Sequence, residues 1–285
     1  MTQTTLTITP FEPRHRYAVD ELIFRNFQVH THLDWHEIDD WLAKQQTPVR
    51  LAWQDRKLVG LLAASNVLNR TCWIRVAAVQ DSAPTQTIMQ TLWESLTPEL
   101  VRQGTERVSM LITRDWVEQQ VRALGFHYDE DIITLRRIGE SLPTSRFSGA
   151  TLRPASLSDL DEITKIDHDA FIPPWQMARD EIQQALRVAA LSVVALRNEQ
   201  IVGYQISTIY RDGAHLARLA VNPQLQGQGI GGTILNDTLR RFFKRGIYSM
   251  TVNTQMSNHR SQHLYRHFGF QRNGYDLGVW SKGIV

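Results

Sequence analysis

The stretch "LAVNPQLQGQGIGG", Leu219–Gly232, sets glycines at 227, 229, 231 and 232 between a strand-like run and a helix-like one. Asn222–Pro223 stops the strand. Beyond the glycines, Ile230, Ile234, Leu235, Leu239, Phe242 and Phe243 recur at helical spacing, and Gly246 ends that run. Glycines at this position let the main chain approach an anion, with free N–H groups and the helix N-terminus aimed at it. The expected guest is a phosphate or a diphosphate. No Gly-Lys-Ser/Thr follows, so this is not a Walker loop. The glycines are also too close together for a dinucleotide fingerprint, and the loop follows the fourth strand of its domain. Taken alone, it reads equally well as a Gly-rich turn without a ligand.

Outward from the loop, residues 150–285 read as β-α-α-β-β-β-α-β-α-β-β. "ATLRPAS" opens as a strand, and Ser158 is the expected cap of a helix carrying Leu160, Ile163 and Ile166. Pro173–Pro174 breaks the chain before a second helix, "MARDEIQQAL". "LSVVAL", "IVGYQISTIY" and "AHLARLAV" are strand-like, separated by turns. Strand–helix–strand around 215–253 implies a parallel pair with a crossover helix, a natural place for a ligand.

The same landmarks occur earlier in the chain. Pro10 and Pro154, Phe27 and Phe171, Gly60 and Gly203, Val79 and Val221, and Phe126 and Phe270 hold offsets of 142–144 residues. A duplicated domain of about 140 residues follows, with domains at 1–145 and 146–285. The boundary is expected in "SLPTSRFSG", Ser141–Gly149.

At 285 residues the length suits two domains. The 42% hydrophobic and 21% charged residues exclude disordered and collagen-like classes. No apolar run reaches membrane-span length, and no basic-then-apolar leader is visible at the start. The lone Cys72 excludes an internal disulfide framework and a Cys-based zinc site, and reads as a buried strand residue. The expectation is a cytoplasmic chain that binds neither membrane nor nucleic acid. Residues 1–145 carry 15 Lys/Arg against 18 Asp/Glu, and residues 146–285 carry 16 against 11. The second half is therefore the better host for an anionic ligand.

Gln226-x-x-Gly229-x-Gly231 resembles the Q/R-x-x-G-x-G/A signature of the GNAT acetyltransferases. "SNHRSQHLYRHFGF", Ser257–Phe270, resembles the family's N-x-x-A-x-x-L-Y-x-x-x-G-F segment, with Ser261 in the small-residue position. The resemblance covers 150–285 and extends weakly over the first half, so the chain is similar to a tandem GNAT protein. It implies an α/β (α+β) fold of two GNAT-like domains. Each would be a mixed, mostly antiparallel sheet with a splayed parallel strand pair and flanking helices. It also implies acetyl-CoA as co-substrate and no metal. The amides of Gln226, Gly227, Gln228, Gly229, Ile230, Gly231 and Gly232 would hold the pyrophosphate. Leu219, Ala220 and Val221 would line the pantetheine arm and thioester, with Asn258 and Ser261 beside them.

In the family, the tyrosine at the position of Tyr265 protonates the departing thiolate. A thiol of pKa about 8.5 leaves readily, and a phenol of pKa about 10 is a competent donor. Asn258, Ser261 and Tyr265 stand at i, i+3 and i+7, close to one helix face. An aromatic that only packs is the other reading. His259, His263 and His267 turn away from that face and suit solvent better than a metal.

A primary side-chain amine has a pKa of about 10.4 and must lose a proton before it attacks. "VNTQMSN" resembles the L-E-V-R-x-S-N segment of ribosomal-protein alanine N-acetyltransferases, but Asn253 stands where those enzymes carry their glutamate base. An amide takes up no proton near neutrality, which sets this chain apart from that subfamily. His215, six residues before Val221, matches the position of the glutamate in histone-type members. It is the candidate base, with water as its competitor.

By resemblance the acceptor pocket includes "DHDAFIPPWQ", where Asp167, Asp169, Phe171 and Trp175 suit a cationic amine or serve as a helix end and core anchor. The first half has no glycine in the segment aligned with the loop, "VQDSAPTQTIM". Val121 replaces the tyrosine and Arg114 aligns with Asn258. It reads as a degenerate copy that packs on the second half as an intramolecular pseudo-dimer, with a monomer one option for the whole chain. His30, His32 and His36 fall in its counterpart of the acceptor segment. The expected function is N-acetylation of an amine of a small molecule or peptide by direct transfer in a ternary complex. The alternatives are a CoA-binding sensor without turnover and a mycothiol-synthase-like acetyltransferase.

Overall fold

The computed structural model describes residues 6–43, 47–144 and 148–285. The boundary expected at 141–149 therefore lies partly outside the described residues. The first half runs β1 (Leu6–Pro10), α1 (Arg16–Arg25), β2 (Val29–Thr31), α2 (Ile38–Leu42), β3 (Val49–Gln54), β4 (Lys57–Ala64), β5 (Thr71–Val79), α3 (Thr85–Arg102), β6 (Arg107–Leu111), α4 (Asp115–Ala123) and β7 (His127–Ile138). The second runs β8 (Thr151–Pro154), α5 (Leu160–Ala170), α6 (Arg179–Val188), β9 (Leu191–Arg197), β10 (Gln200–Tyr210), β11 (Gly213–Val221), α7 (Ile230–Phe243), β12 (Ser249–Gln255), α8 (His259–His267), β13 (Gln271–Arg272) and β14 (Leu277–Gly283). This is the order read from the sequence of the second half.

Contacts divide the chain into one unit ending at Glu130 and including Leu277–Val285, and a second unit, Asp131–Asp276. These units differ from a division at 145, because the last strand of each half joins the other half's sheet. β14 pairs with β6 from Val279↔Leu111 to Gly283↔Arg107. β7 pairs with β12 from Ile132↔Gln255 to Ile138↔Ser249. The first unit's sheet runs β1-β3-β4-β5-β6-β14, and the second's β7-β12-β11-β10-β9-β8.

Each sheet is antiparallel except for one short parallel pair. In the first unit Thr71–Trp73 pair with Arg107–Ser109, and in the second Ala214–Leu216 pair with Met250–Val252. Beyond Leu216 and Val252 the partners separate, although β11 continues to Val221 and β12 to Gln255. Each unit also has a β-bulge beside this splay. Ser207 pairs with Leu216 and Ile206 with Arg218, leaving Ala217 as the extra residue. In the first unit Ala64 pairs with Ile74 and Ala63 with Val76, leaving Arg75 extra. Ala217 and Arg75 lie 142 residues apart, so the duplication extends to a backbone irregularity.

The apolar face read for α7 is the buried one: Leu235, Leu239 and Phe242 pack with Leu216, Val252, Tyr265, Phe268 and Phe270. Ile230 and Ile234 join Val202 and Val221 in an adjoining cluster. The first unit's core holds Ile74, Leu92, Leu96, Val121 and Trp280. Ser158 is not the helix cap. Ser156 begins a short turn over 157–159, its N–H donates to Asp159 at 2.8 Å, and α5 starts after Asp159. Among the described residues no helix is long and apolar enough to cross a membrane.

Candidate functional site

The glycine loop leaves the end of β11 through Asn222, whose side chain accepts from the Gln224 N–H at 3.0 Å. Gly227 and Gly229 have φ of 80° and 85°, the left-handed region that a Cβ disfavours. Gly229 is the N-cap of α7, and its carbonyl accepts from Thr233. The first amides of α7, at Ile230, Gly231 and Gly232, have no acceptor within the helix. The Ile230 side chain is buried, so only its main chain is offered.

Two side chains brace the loop. Gln226 Nε2 donates to the Val221 carbonyl at 3.0 Å, and its Oε1 accepts from Arg260 of α8. Gln228 Oε1 accepts from Arg197 of β9 at 2.5 Å. Two guanidiniums thus flank a nest of N–H donors. This donor set, with no carboxylate in the loop, fits a diphosphate.

The strand edge beside the loop is equally defined. Asn222 N–H bonds to the Val202 carbonyl, which fixes the phase of the antiparallel ladder. Ala220 and Arg218 then pair with β10 through their main chains, and the N–H groups of Leu219 and Val221 face the opposite edge. On that side β12 has already diverged. The sheet therefore leaves two successive donors for an extended arm lying in the splay.

Tyr265 is buried within the α7–α8 core, 5.7 Å from Phe270 between ring centroids. Burial raises its pKa, while the charge of Arg218 acts the other way. The phenol is therefore firmly neutral near pH 7. Asn258 caps α8, its Oδ1 accepting from the Ser261 N–H at 3.1 Å. That engages the asparagine oxygen locally and leaves its amide NH2 for other partners. His259, His263 and His267 are exposed.

His215 Nδ1 lies 2.8 Å from Thr251 Oγ1 across the parallel pair, and its ring is 6.2 Å from that of Tyr210. The tautomer in which Nδ1–H donates to Thr251 leaves Nε2 as the basic nitrogen. Asn253 is exposed on β12.

The acceptor-side expectations divide. Asp169 is exposed on α5. Asp167 is fully buried and offers no free carboxylate to a cation. Its Oδ1 accepts from the Met177 N–H at 2.8 Å. Its Oδ2 accepts from Tyr204 at 2.5 Å and from Arg218 Nε at 2.8 Å and Nη2 at 2.6 Å. Arg218 also donates to the Trp175 carbonyl at 2.6 Å and lies 3.5 Å from the centre of the Phe171 ring. Phe171 and Trp175 are thus tied to the sheet through an arginine that the sequence reading missed. The signal was available in part: a lone cation inside the apolar run "AHLARLAV" needs a buried partner.

In the first unit the corresponding edge is filled. β2 pairs with β5 through His30↔Ala77, and Val79 N–H donates to the Gln28 carbonyl at 2.9 Å. Val79 is the counterpart of Val221. Asp81 accepts from the N–H groups of Phe27 and Gln28, α3 starts after Pro84 without a side-chain cap, and Arg114 caps nothing at α4.

Residues 160–270 match the acetyltransferase (GNAT) family model. This segment is a GNAT acetyltransferase domain. That family is one of acyltransferases whose co-substrate is acetyl-CoA. The chain is 27% identical over 127 residues to a putative ribosomal protein bS18-alanine N-acetyltransferase of Bacillus subtilis, covering 44% of this chain and 83% of that protein. It is also 27% identical over 120 residues to the bS18-alanine N-acetyltransferase of Escherichia coli K12, covering 42% and 80%. Among solved structures, a GCN5-related N-acetyltransferase from Sphaerobacter thermophilus superposes with TM-score 0.63 at 15% identity, over 98% of this chain and 96% of that one. A tandem GNAT protein from the clavulanic acid biosynthesis pathway does so with TM-score 0.63 at 12% identity, over 99% of each. These two likenesses extend the fold over both halves.

Proposed function

We propose that the second unit transfers an acetyl group from acetyl-CoA directly to a primary amine, of a peptide N-terminus or a small molecule, in a ternary complex. The observation that carries this reading is the conjunction at β11. A strand edge with two outward N–H groups runs straight into a left-handed glycine loop at a helix N-terminus. Bound acetyl-CoA supplies a thioester carbon open to an amine and a thiol that leaves readily.

The amides from Gly227 to Gly232, with Arg197 and Arg260, hold the diphosphate. The N–H groups of Leu219 and Val221 hold the extended arm and the thioester oxygen. Tyr265 donates its hydroxyl hydrogen toward the sulfur as the C–S bond breaks. His215 Nε2, or water, takes the proton that the amine loses as the C–N bond forms. The named relatives act on a ribosomal-protein alanine, so an α-amino group is the first acceptor to test. The glutamate of that subfamily is replaced here by the exposed Asn253, so the proton cannot leave by the same route.

The test is release of free thiol from acetyl-CoA with a panel of peptide and small-molecule amines, with the acetylated product identified by mass. Thiol release that depends on the amine, with matching product, is expected. Thiol release indifferent to every amine contradicts transfer.

A further inference from the structure

The outer face of α8 carries three histidines that the proposed transfer does not use. His259, His263 and His267 stand four residues apart on one continuous helix. At about 100° per residue each step turns about 40° around the axis, so the three form a single stripe. All three side chains are exposed, and none of the rings has a hydrogen bond or an ion pair among the described residues. The stripe faces away from Asn258 and Tyr265. That bars a metal bound there from the transfer chemistry, but not from the outside of the helix.

Residues at i and i+4 have Cβ atoms about 5–6 Å apart, close enough for two imidazoles to reach one metal at about 2.0–2.1 Å from each nitrogen. His259 and His267 lie two turns apart, about 12 Å along the axis, and cannot share one. The described residues hold no group of three or more His, Cys, Asp and Glu side chains placed for a metal. The chelate is therefore two imidazoles completed by water, and His263 belongs to either pair.

Two observations favour the second pair. His263 and His267 occupy the last turn, where the carbonyl end of the helix attracts a cation, whereas His259 opens the helix at its amide end. The His267 ring also stands edge-on to the buried Phe268, 5.5 Å between centroids, so it is partly fixed before any metal arrives. The flanking cations are engaged elsewhere: Arg260 donates to Gln226 Oε1, and Arg266 to Gln262 Oε1 at 2.8 Å. No carboxylate lies on α8, so the donor set is imidazole alone. Such a set suits copper, nickel or zinc and not magnesium or calcium.

We propose that His263 and His267 form a chelating site for a divalent transition metal of the copper, nickel and zinc group, on the outer face of α8. The site is independent of the acetyl-transfer reading. A metal held there staples the last turn of the helix that carries Tyr265.

The test uses the untagged full chain, first stripped of metal, with Cu(II) and Zn(II) salts as probes. Calorimetric titration should show one saturable site per chain. His263→Gln and His267→Gln should each weaken it at least about tenfold, and His259→Gln should leave it within about twofold. The paramagnetic resonance spectrum of the Cu(II)-bound chain should show two equatorial imidazole nitrogens, and one in His267→Gln. Equal affinity in wild type and His263→Gln, or a single nitrogen in wild type, overturns the site. Loss in His259→Gln with none in His267→Gln overturns its assignment to the last turn.

Discussion

Tyr265 and His30 show opposite uses of burial. Burial keeps the Tyr265 phenol neutral, and a thiolate is the weaker base of the two, so full proton transfer in the ground state is uphill. On the proposed mechanism the hydroxyl therefore acts by donating a hydrogen bond as charge develops on sulfur. Tyr265→Phe should lower kcat by about 100-fold and leave acetyl-CoA affinity nearly unchanged. Single-turnover kinetics with parallel binding isotherms would show this. Equal loss of affinity would assign the tyrosine to packing instead. His30 is fully buried in the first unit, with Nδ1 2.8 Å from Thr113 Oγ1. Burial lowers its pKa to about 3, and that of His32 to about 4. Both are then neutral in the folded chain while the unfolded chain protonates near pH 6.5. Stability is fully present above that pH and falls as the pH drops from about 6.5 toward 4, by up to about 1.4 kcal/mol per unit for each group. Denaturant melts of His30→Gln should show a flatter decline over that window. An identical decline would place the proton uptake elsewhere. Cys72 takes part in none of this, since burial raises its pKa to about 12 and keeps the thiol inert.

Among the elements, the glycine loop is the most demanding. Gly229→Val puts a branched side chain at φ 85°, at a cost of about 1–2 kcal/mol or a shifted loop. Titration should show acetyl-CoA affinity down at least about tenfold with the fold retained. Unchanged affinity would mean that the loop only turns the chain. How much of this was legible depends on range. The loop, the α8 tyrosine and the strand order are written in local residue patterns: spacing, punctuation and the 142–144 offset. The Asp167–Arg218–Tyr204 cluster was not, because one bulged residue at Ala217 reverses the facing of everything after it. A bulge leaves no mark in side-chain composition. The filled edge of β5 was also hidden, because a strand as short as "VHT" has no periodicity to read. The helix cap was misplaced by two residues because Ser156 and Ser158 offer the same chemistry, and only Asp159 turning back to Ser156 decides between them.

At the scale of the whole molecule, duplication has produced two units with opposite fates at the same edge. In the second unit the end of β11 is open toward the splay. In the first, the chain's own β2 lies along β5, and Asp81 stands within the loop's counterpart. The duplication also traded final strands. Trp280 of β14 lies in the first unit's core, with Arg122 over its ring at 4.5 Å. Trp280→Ala should cost about 3–5 kcal/mol. Hydrogen exchange should show β3–β5 amides opening ahead of those in β9–β11, and the reverse order would contradict the strand exchange.

The most direct measurement is calorimetric titration of the full chain with acetyl-CoA. An open edge and donor nest in the second unit, and a self-filled edge in the first, predict one molecule bound per chain. Two per chain would show that β2 does not block the first unit, and none would remove the nest around Gly229 as a diphosphate site.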